Sequence, residues 1–230
     1  MPTGSSTPPT YKLATMNTFH FEVDEEYAKQ HNELLRDTKS MVLSGIAIFI
    51  LCVLGGIASW FFISPTSPWR VLASVGLILF GVIMLIVALI LPKSVGKTQA
   101  LYDAHPLAPA IITENVGTTL TLTALVNMNA DASLPPRWAI TSRVVKRIPN
   151  THDTVGTKVP VVAVGGQRSS RDKNTWQVIT PMPIAWSTPD AQVISRARAE
   201  IPQDQWQRLE KARKNAELVA SAKNSLVALS

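Results

Sequence analysis

Two long apolar runs, Met41–Ile63 and Val71–Leu91, stand out from the polar chain on either side of them. Neither run contains Asp, Glu, Lys, Arg or His, and only Ser64–Arg70 separates them. Each run exceeds the ~18 uncharged residues that mark a membrane-spanning helix, and at ~1.5 Å rise per residue each is long enough for a ~30 Å hydrocarbon core. A buried helix of a soluble protein can imitate one such run, but hardly two in tandem. The pattern predicts two transmembrane helices, 41–63 and 71–91, joined by an external turn at 64–70.

The residues before the hairpin are polar and carry the signals of a helix start. We expect 1–23 to be a disordered or extended tail, because its first part is dominated by Pro, Ser and Thr and has no apolar period. Asp24 is a suitable N-cap, and Glu25 and Glu26 in a first turn would complement the helix dipole. The sequence therefore predicts an amphipathic helix over 24–40 that leads into the membrane.

The residues after the second span have a different composition and pattern. A juxtamembrane connection at 92–104 precedes 105–188, where short runs of β-branched and aromatic residues alternate with Gly, Pro, Asn and Asp clusters. The alternation in Thr119–Thr123 is typical of a strand with one face in water. The expected strands are Ala110–Thr113, Thr118–Met128, Trp138–Ile148, Lys158–Val164 and Trp176–Trp186.

These elements predict a fold class: a membrane α-hairpin of two transmembrane helices plus a small α+β soluble domain. The cytoplasmic β part would be an antiparallel sheet of about five strands or a partial barrel. Residues 189–230 are expected to form C-terminal helices, because Pro189-Asp190 and Pro202 suit helix starts. Apolar side chains from Trp206 to Leu229 fall on one side of the last helix.

Cations flank the open end of the hairpin and are scarce at its turn. Arg36 and Lys39 precede the first span and Lys93 and Lys97 follow the second, whereas the turn contains only Arg70. The positive-inside rule then places both termini in the cytoplasm. The expected location is the plasma membrane, with two passes.

The positive charge is concentrated after the second span. Residues 1–40 carry four cations and six anions and Arg70 adds one cation, so the net charge of +6 leaves +7 for the residues after Leu91. A solvated face, attraction to anionic lipid and a protein contact are all open interpretations. Nucleic acid is not expected, because the aromatic residues fall mostly within strands rather than beside the cations. The candidate lipid or partner contacts are Arg143, Lys146, Arg147, Arg168, Arg171 and Lys173.

Small residues recur every seven residues on both apolar runs. Lipid supplies little hydrophobic drive between helices, so contact depends on small residues that let backbones approach. A seven-residue period keeps one stripe facing its partner in a left-handed crossing near +20°. The predicted seam pairs Gly45 with Ala88, Cys52 with Gly81, and Ser59 with Ser74.

Side chains suited to catalysis or metal binding are few. The single cysteine, Cys52, lies within the first span, where its thiol should stay neutral and inert. His20, His31, His105 and His152 fall in separate segments without the spacing of a zinc-binding helix. The spans offer neither a histidine for haem nor an ionisable group for a proton path. We expect no enzymatic activity, no cofactor and no metal.

A glycine-containing segment, Gly165–Ser170, has a superficial likeness to a phosphate-binding loop. It lacks the Lys-Ser/Thr pair of a P-loop and the GxGxxG of a dinucleotide site. A hairpin connection with a basic tip is the better interpretation.

The motif at Thr175–Trp186, TWQVITPMPIAW, is followed by Thr188-Pro189-Asp190 and resembles an uncharacterised actinobacterial family of two-helix membrane proteins with a cytoplasmic C-terminal domain. Val159–Gly166 and the hairpin fit the same pattern, so the resemblance spans roughly 20–220. That family has no agreed activity or catalytic residues to transfer. Such proteins are similar to accessory subunits of the actinobacterial cytochrome bcc–oxidase respiratory supercomplex.

The resemblance and the patterns lead to one expected function. The protein would be a non-catalytic integral membrane accessory or structural subunit that docks on a larger complex, with the respiratory supercomplex as the expected assembly. Its partners would be other membrane subunits and a bilayer with anionic lipids. The alternative is a membrane-tethered binding module that recognises anionic lipid or a cytoplasmic protein. An enzyme with a site built from unremarkable residues comes third.

Overall fold

The computed structural model describes residues 18–95, 98–131, 133–168, 174–223 and 226–229. These residues cluster into two compact units. The hairpin unit comprises Phe21–Tyr102 and Ala185–Pro189. The β unit comprises the described residues within 1–20, 103–184 and 190–230.

The hairpin unit is built from helices α1 (Glu25–His31), α2 (Glu33–Phe62), α3 (Pro68–Val95) and the greater part of α4 (Thr98–Ala104). A turn joins α2 to α3, and within it the Ser67 N–H donates to the Ser64 carbonyl at 3.0 Å. By length and composition α2 and α3 could each cross a membrane, and only 6% and 17% of the residues in their most apolar stretches are buried. A core helix of a soluble protein would bury most of such residues. The two apolar helices therefore present their side chains outward.

The amphipathic helix expected over 24–40 is broken at Asn32. Its start is as predicted, because the Asp24 carboxylate accepts from the Tyr27 N–H at 2.9 Å. Asn32 then has extended backbone and its side chain accepts from the Leu34 N–H at 3.0 Å, so it caps a second helix. An Asn that caps the next helix competes with continuation of the first, which is why the chain turns here.

The β unit contains a six-stranded antiparallel sheet in the order β5-β4-β1-β2-β3-β6. The sheet curls, because the Thr141 hydroxyl of β3 donates to the Ile179 carbonyl of β5 at 3.1 Å although these strands are not neighbours in it. The result is a half-barrel, as the strand pattern predicted. Its strands are β1 (Leu107–Asn115), β2 (Leu120–Asn127), β3 (Trp138–Val145), β4 (Lys158–Gly165), β5 (Ile179–Pro183) and β6 (Val227–Ala228).

The Thr face of β2, expected to be in water, is buried. Ile111, Thr123 and Lys158 are register partners across β1, β2 and β4, so their side chains share a face of the sheet. On that face the Lys158 ammonium lies 5.3 Å from the centre of the Trp206 ring, which belongs to a C-terminal helix. Thr123 is fully buried, and its hydroxyl lies 2.8 Å from that of Ser142 on β3. Alternation alone could not show that a helix covers the polar face.

Two helices and a strand replace the long terminal helix expected from Pro202 to Leu229. Asn215 ends that continuity, because its side chain caps a new helix. The last residues then pair with the edge of β3, where Leu229 N–H donates to the Trp138 carbonyl at 2.9 Å. The two helices are α6 (Gln203–Arg213) and α7 (Ala216–Ser221), and α5 (Ala191–Glu200) precedes them as the helix expected after Pro189.

The tail expected at 1–23 falls mostly outside the described residues, which begin at Thr18. The part that is described is packed, with Phe19, Phe21 and Val23 at most 7% exposed. In the β unit, the Arg196 guanidinium lies 5.2 Å from the centre of the Phe19 ring. These last residues of the segment are packed and lie outside any helix or strand, so they fit the extended alternative of the expectation rather than the disordered one.

The described flanks of Gly165–Ser170 form the expected hairpin connection. Gly166 N–H donates to the Val178 carbonyl at 2.9 Å, and Gln177 N–H donates to the Gln167 carbonyl at 2.8 Å. Gly165 has a packing role that the sequence did not reveal, because a Cβ added there would lie 2.5 Å from Cε2 of Trp176. The indole ring therefore requires a residue without a side chain at Gly165.

We predict that Gly165→Ala destabilises the protein, because the added methyl group would force the Trp176 ring to move. Overpacking of this kind costs about 1–3 kcal/mol, which urea unfolding of the detergent-solubilised chain, followed by circular dichroism, would detect as a lower midpoint. Gly166→Ala is the matched control, because its Cβ would make only ordinary contacts, the nearest at 3.5 Å. Equal losses in the two variants would contradict the packing role.

Candidate functional site

The hairpin seam brings together the three pairs of small residues that the seven-residue spacing predicts. The hydroxyl oxygens of Ser59 and Ser74 lie 2.6 Å apart. A Cβ added at Gly81 would lie 2.9 Å from the Cβ of Cys52, and one added at Gly45 would lie 2.7 Å from the Cβ of Ala88. These distances mean that the two backbones approach as closely as their side chains allow, from the turn to the open end.

The serine pair has a defined hydrogen-bond direction. The Ser59 hydroxyl donates to the Gly56 carbonyl at 2.8 Å, so the Ser74 hydroxyl is the donor to Ser59. Ser74 is 5% exposed. An interhelical hydrogen bond of this type contributes about 0.6 kcal/mol in lipid, and up to about 2 kcal/mol in model peptides.

The turn end of the hairpin combines exposed aromatic rings with one cation. Arg70 donates from Nε to the Trp60 carbonyl at 2.9 Å, and its guanidinium lies 4.3 Å from the centre of the Trp60 ring. Phe61, Phe62 and Trp69 are exposed. Aromatic rings and a snorkelling cation are typical of the boundary between hydrocarbon and water.

A buried polar cluster lies at the open end of the hairpin unit. Tyr102 is fully buried, and its hydroxyl hydrogen bonds with the side chains of Ser187 and Asn32, which are also fully buried. Burial raises the pKa of Tyr102, so the phenol stays neutral at physiological pH. The ring also makes an edge-to-face contact with Phe21, at 5.3 Å between centroids.

The Gln99 side chain extends this cluster to the segment before α1. Its Nε2 donates to the Phe21 carbonyl at 2.8 Å and its Oε1 accepts from the Val23 N–H at 2.9 Å. The Asp24 N–H donates to the Ser187 carbonyl at 2.9 Å. Polar backbone groups at this end of the hairpin are thus paired with side chains and with the Ala185–Pro189 segment.

The six candidate cations do not form one exposed patch among the described residues. Arg143 is half-buried, its Nη1 is buried, and it shares a face of the sheet with Leu122, its register partner, so it is a poor surface contact. Lys146 and Arg147 are exposed but follow the end of β3 rather than lying on the strand. Arg168 is exposed, with its guanidinium 4.4 Å from the centre of the Trp176 ring. Arg171 and Lys173 lie outside the described residues.

No group of three or more His, Cys, Asp or Glu side chains in the described part of the chain is arranged to hold a metal ion. His20 Nδ1 lies 3.1 Å from the Asp103 carboxylate on the surface, and His31 Nδ1 lies 2.9 Å from the Tyr27 carbonyl. Cys52 is a free thiol that faces Gly81 in the seam. The predicted absence of activity, cofactor and metal stays a prediction.

Residues 93–217 match a family described as "Protein of unknown function (DUF3239)", and they make up more than half of the chain. The chain belongs to the DUF3239 family. The matched residues begin near the end of α3, so α1 and α2 lie outside the match. No curated protein matches the chain.

A DUF3239 chain of this kind is similar to a solved structure described as that of a candidate membrane protein from Corynebacterium diphtheriae. The identity is 45%, the match covers 54% of this chain and 99% of that chain, and the TM-score is 0.50. This likeness to an actinobacterial protein confirms the expected kinship with an uncharacterised family. Together with the two apolar helices it indicates membrane association. The link to a respiratory supercomplex stays a prediction.

Sequence reasoning missed two sets of residues in this DUF3239 protein. Gly56 also belongs to the seam, because a Cβ added there would lie 2.9 Å from Cγ1 of Ile78. Its position four residues after Cys52 was a usable signal. The partnership of Asn32, Tyr102 and Ser187 had no signal, because these residues are far apart in the sequence and belong to three different segments.

We predict that Ser59→Cys/Ser74→Cys, made in a Cys52→Ser background, forms an intramolecular disulfide on mild oxidation. The observed 2.6 Å between the hydroxyl oxygens suits a Cβ separation near the ~3.8 Å of a disulfide. Alkylation followed by mass spectrometry of the monomer would show both thiols blocked. Ser59→Cys/Gly76→Cys is the control, because a Cβ at Gly76 meets nothing within 4 Å and the two thiols should stay reactive. Disulfide formation in the control but not in the first pair would overturn the seam.

Proposed function

We propose that this DUF3239 protein is a non-catalytic membrane subunit whose α2–α3 hairpin spans the bilayer and docks on a larger membrane assembly. In this proposal both termini and the β unit are cytoplasmic and the Ser64–Ser67 turn is external. The observation that carries it is the outward exposure of apolar side chains along both helices. Of the residues in their most apolar stretches, only 6% in α2 and 17% in α3 are buried.

Exposed apolar surface on this scale has to be covered. A soluble monomer seldom exposes a contiguous apolar patch beyond a few hundred Å², because such patches drive association. Leu51 and Leu54 on α2 and Leu72 and Leu79 on α3 are all more than half exposed. A bilayer and a neighbouring membrane subunit are the two surroundings that would cover such side chains.

The orientation is supported by charge. Arg36 and Lys39 are exposed at the open end of the hairpin, and Lys93 and Lys97 add two further cations to the same end of the sequence pattern. At the turn end the sequence offers only Arg70, in the first turn of α3, and this side chain is engaged with Trp60. The excess of cations at the open end favours its retention on the cytoplasmic side.

The assembly we propose is the actinobacterial bcc–oxidase supercomplex, on the strength of the sequence resemblance. A hairpin without ionisable residues between its ends has no means to move protons or ions by itself. A role through contact with other subunits suits such helices better than a role in chemistry.

A second candidate function is a membrane-tethered module that recognises anionic lipid or a cytoplasmic protein. The specific observation in its favour is the exposure of Lys146, Arg147 and Arg168 in a domain with a net positive charge. Each cation near an anionic leaflet is worth about 1 kcal/mol, and this attraction weakens with salt. Arg143 adds little to it, because its side chain is half-buried.

The orientation predicts which of two introduced cysteines is labelled from outside the cell. In a Cys52→Ser background, Thr66→Cys in the turn should react with an impermeant maleimide on intact cells. Val155→Cys in the β unit should react only after the cells are opened. Both residues are exposed, so burial would not explain a difference. Labelling of Val155→Cys alone on intact cells would reverse the topology.

If the hairpin docks on a larger assembly, the full chain should copurify with stoichiometric membrane subunits. The chain would be expressed at its native level and purified in mild detergent, and mass spectrometry would identify the subunits. Subunits of the cytochrome bcc–oxidase supercomplex are the expected partners. An intact but solitary chain that binds anionic vesicles in a salt-sensitive way would contradict docking and favour the tethered module. Stoichiometric haem, flavin or metal in the isolated chain would contradict the non-catalytic role.

A further inference from the structure

A groove runs along one side of the hairpin unit at the end away from the turn. Its volume is about 480 Å³, which is within the ~300–1,000 Å³ typical of small-molecule sites. Residues of α2 and α3 alone line it. They are Asp37, Ser40, Met41, Ser44, Gly45 and Ile48 of α2, and Met84, Val87 and Ala88 of α3.

The floor of the groove is a consequence of the close seam. Gly45 and Ala88 let the two backbones approach, since a Cβ on Gly45 would lie only 2.7 Å from that of Ala88. Gly45 and Ala88 leave a shallow notch at this level of the seam. The larger side chains of Met84 and Ile48 line the groove as its walls. The floor and walls are therefore apolar.

The mouth of the groove is polar. Asp37, Ser40 and Ser44 are spaced by three and four residues, so they lie on one face of α2. All three are exposed, and none makes a side-chain hydrogen bond or ion pair with another described residue. A carboxylate and two hydroxyls without a partner among the described side chains thus stand above an apolar groove.

Along α2 the polar mouth of the groove is followed by its apolar floor, in the same order as the headgroup and the acyl chains of a lipid. Asp37 precedes the start of the apolar run at Met41 by one turn, which is the level of the headgroups in the proposed bilayer. From Asp37 to Ile48 the groove extends about 16 Å at ~1.5 Å per residue. Arg36 is exposed one turn before Ser40 and just outside the groove lining, so a cation for a phosphate lies on the same face of α2 as a hydroxyl of the groove mouth.

We infer that this groove binds one phospholipid molecule whose headgroup carries a primary ammonium, with the ammonium at the Asp37 carboxylate and an acyl chain along the floor. The inference rests on the proposed insertion of the hairpin into the bilayer and goes beyond it. The charge pattern favours this occupant over a purely anionic lipid, whose headgroup would offer no cation to Asp37. A partner helix packed against the same side of the hairpin is the competing occupant, and a crosslink from position 44 distinguishes the two.

The test uses the full chain in detergent with three probes that share the same acyl chains: phosphatidylethanolamine, phosphatidylcholine and phosphatidylglycerol. Native mass spectrometry should show one tightly held phosphatidylethanolamine, bound about tenfold more tightly than the others, as the loss of a charge-assisted hydrogen bond would predict. Asp37→Asn should abolish that preference. Glu26→Gln is the matched control, because Glu26 is an exposed acid of α1 outside the groove.

A second pair of variants tests the apolar part. Ser44→Phe should fill the groove and lower binding of phosphatidylethanolamine about tenfold, whereas Leu43→Phe, one residue away and 68% exposed off the groove, should leave it unchanged. The Ser59/Ser74 disulfide, introduced into each variant, checks that the hairpin has kept its fold.

Four results would overturn the inference. The first three are equal binding of the three lipids, unchanged binding in Ser44→Phe, and an equal effect of Glu26→Gln and Asp37→Asn. The fourth comes from a photoreactive amino acid placed at position 44, if it crosslinks to a protein rather than to a lipid. Alkaline extraction of membranes separates this failure from that of the proposed function. A chain released by alkali is not a bilayer-spanning protein, and both proposals then fail. A chain that stays in the membrane but holds no lipid leaves the spanning hairpin intact and overturns the groove alone.

Discussion

The separation of the α2 and α3 backbones is set by small side chains at successive levels of the hairpin, and the rest of the hairpin unit depends on that separation. Lipid and leucine are about equally apolar, so two helices in a bilayer gain little by hiding apolar surface from each other. Dispersion contacts and the Ser59–Ser74 hydrogen bond must supply the association instead. Both fall off steeply with distance, and the near contact of Gly45 with Ala88 leaves no room for a larger residue. The same closeness creates the notch beside the seam.

The open end of the hairpin follows a different rule, because there the chain leaves helical structure and exposes backbone polar groups. An unpaired buried donor or acceptor costs about 1–3 kcal/mol, so a helix break in a packed region requires side-chain partners. Asn32 caps α2, and Gln99 satisfies both the Phe21 carbonyl and the Val23 N–H. The buried Tyr102 hydroxyl, held by Asn32 and Ser187, belongs to the same set of satisfied groups. Hydrogen bonds to side chains thus stabilise the open end, whereas close packing of small residues stabilises the seam.

The elements that the sequence predicted well are those with a strong local signal. Two uninterrupted apolar runs, the heptad of small residues and the five β-branched segments each carry their own periodicity, and the observed strands begin within a few residues of the expected ones. The misses share a cause in long-range packing. Asn32 reads as an ordinary helix residue until its partner Tyr102, seventy positions later, is known. The alternation in β2 predicts a Thr face in water, because nothing in it shows that α6 covers this face. The sequence likewise predicts Arg143 on the surface, whereas its Nη1 is buried in the folded β unit.

The spacing of polar groups along α2 gives an argument for a spanning helix that does not depend on average hydropathy. Trp60, which accepts from Arg70, and Asp37 are twenty-three residues apart, or about 35 Å at ~1.5 Å per residue. A hydrocarbon core of ~30 Å fits between them, with the aromatic ring at one boundary and the carboxylate at the other. A helix that lies in the plane of the interface would need one polar face along its whole length. Exposed Met41, Leu43 and Leu51 point to different sides of α2, and Met41–Ile63 contains no charged residue, so no such face exists between its ends.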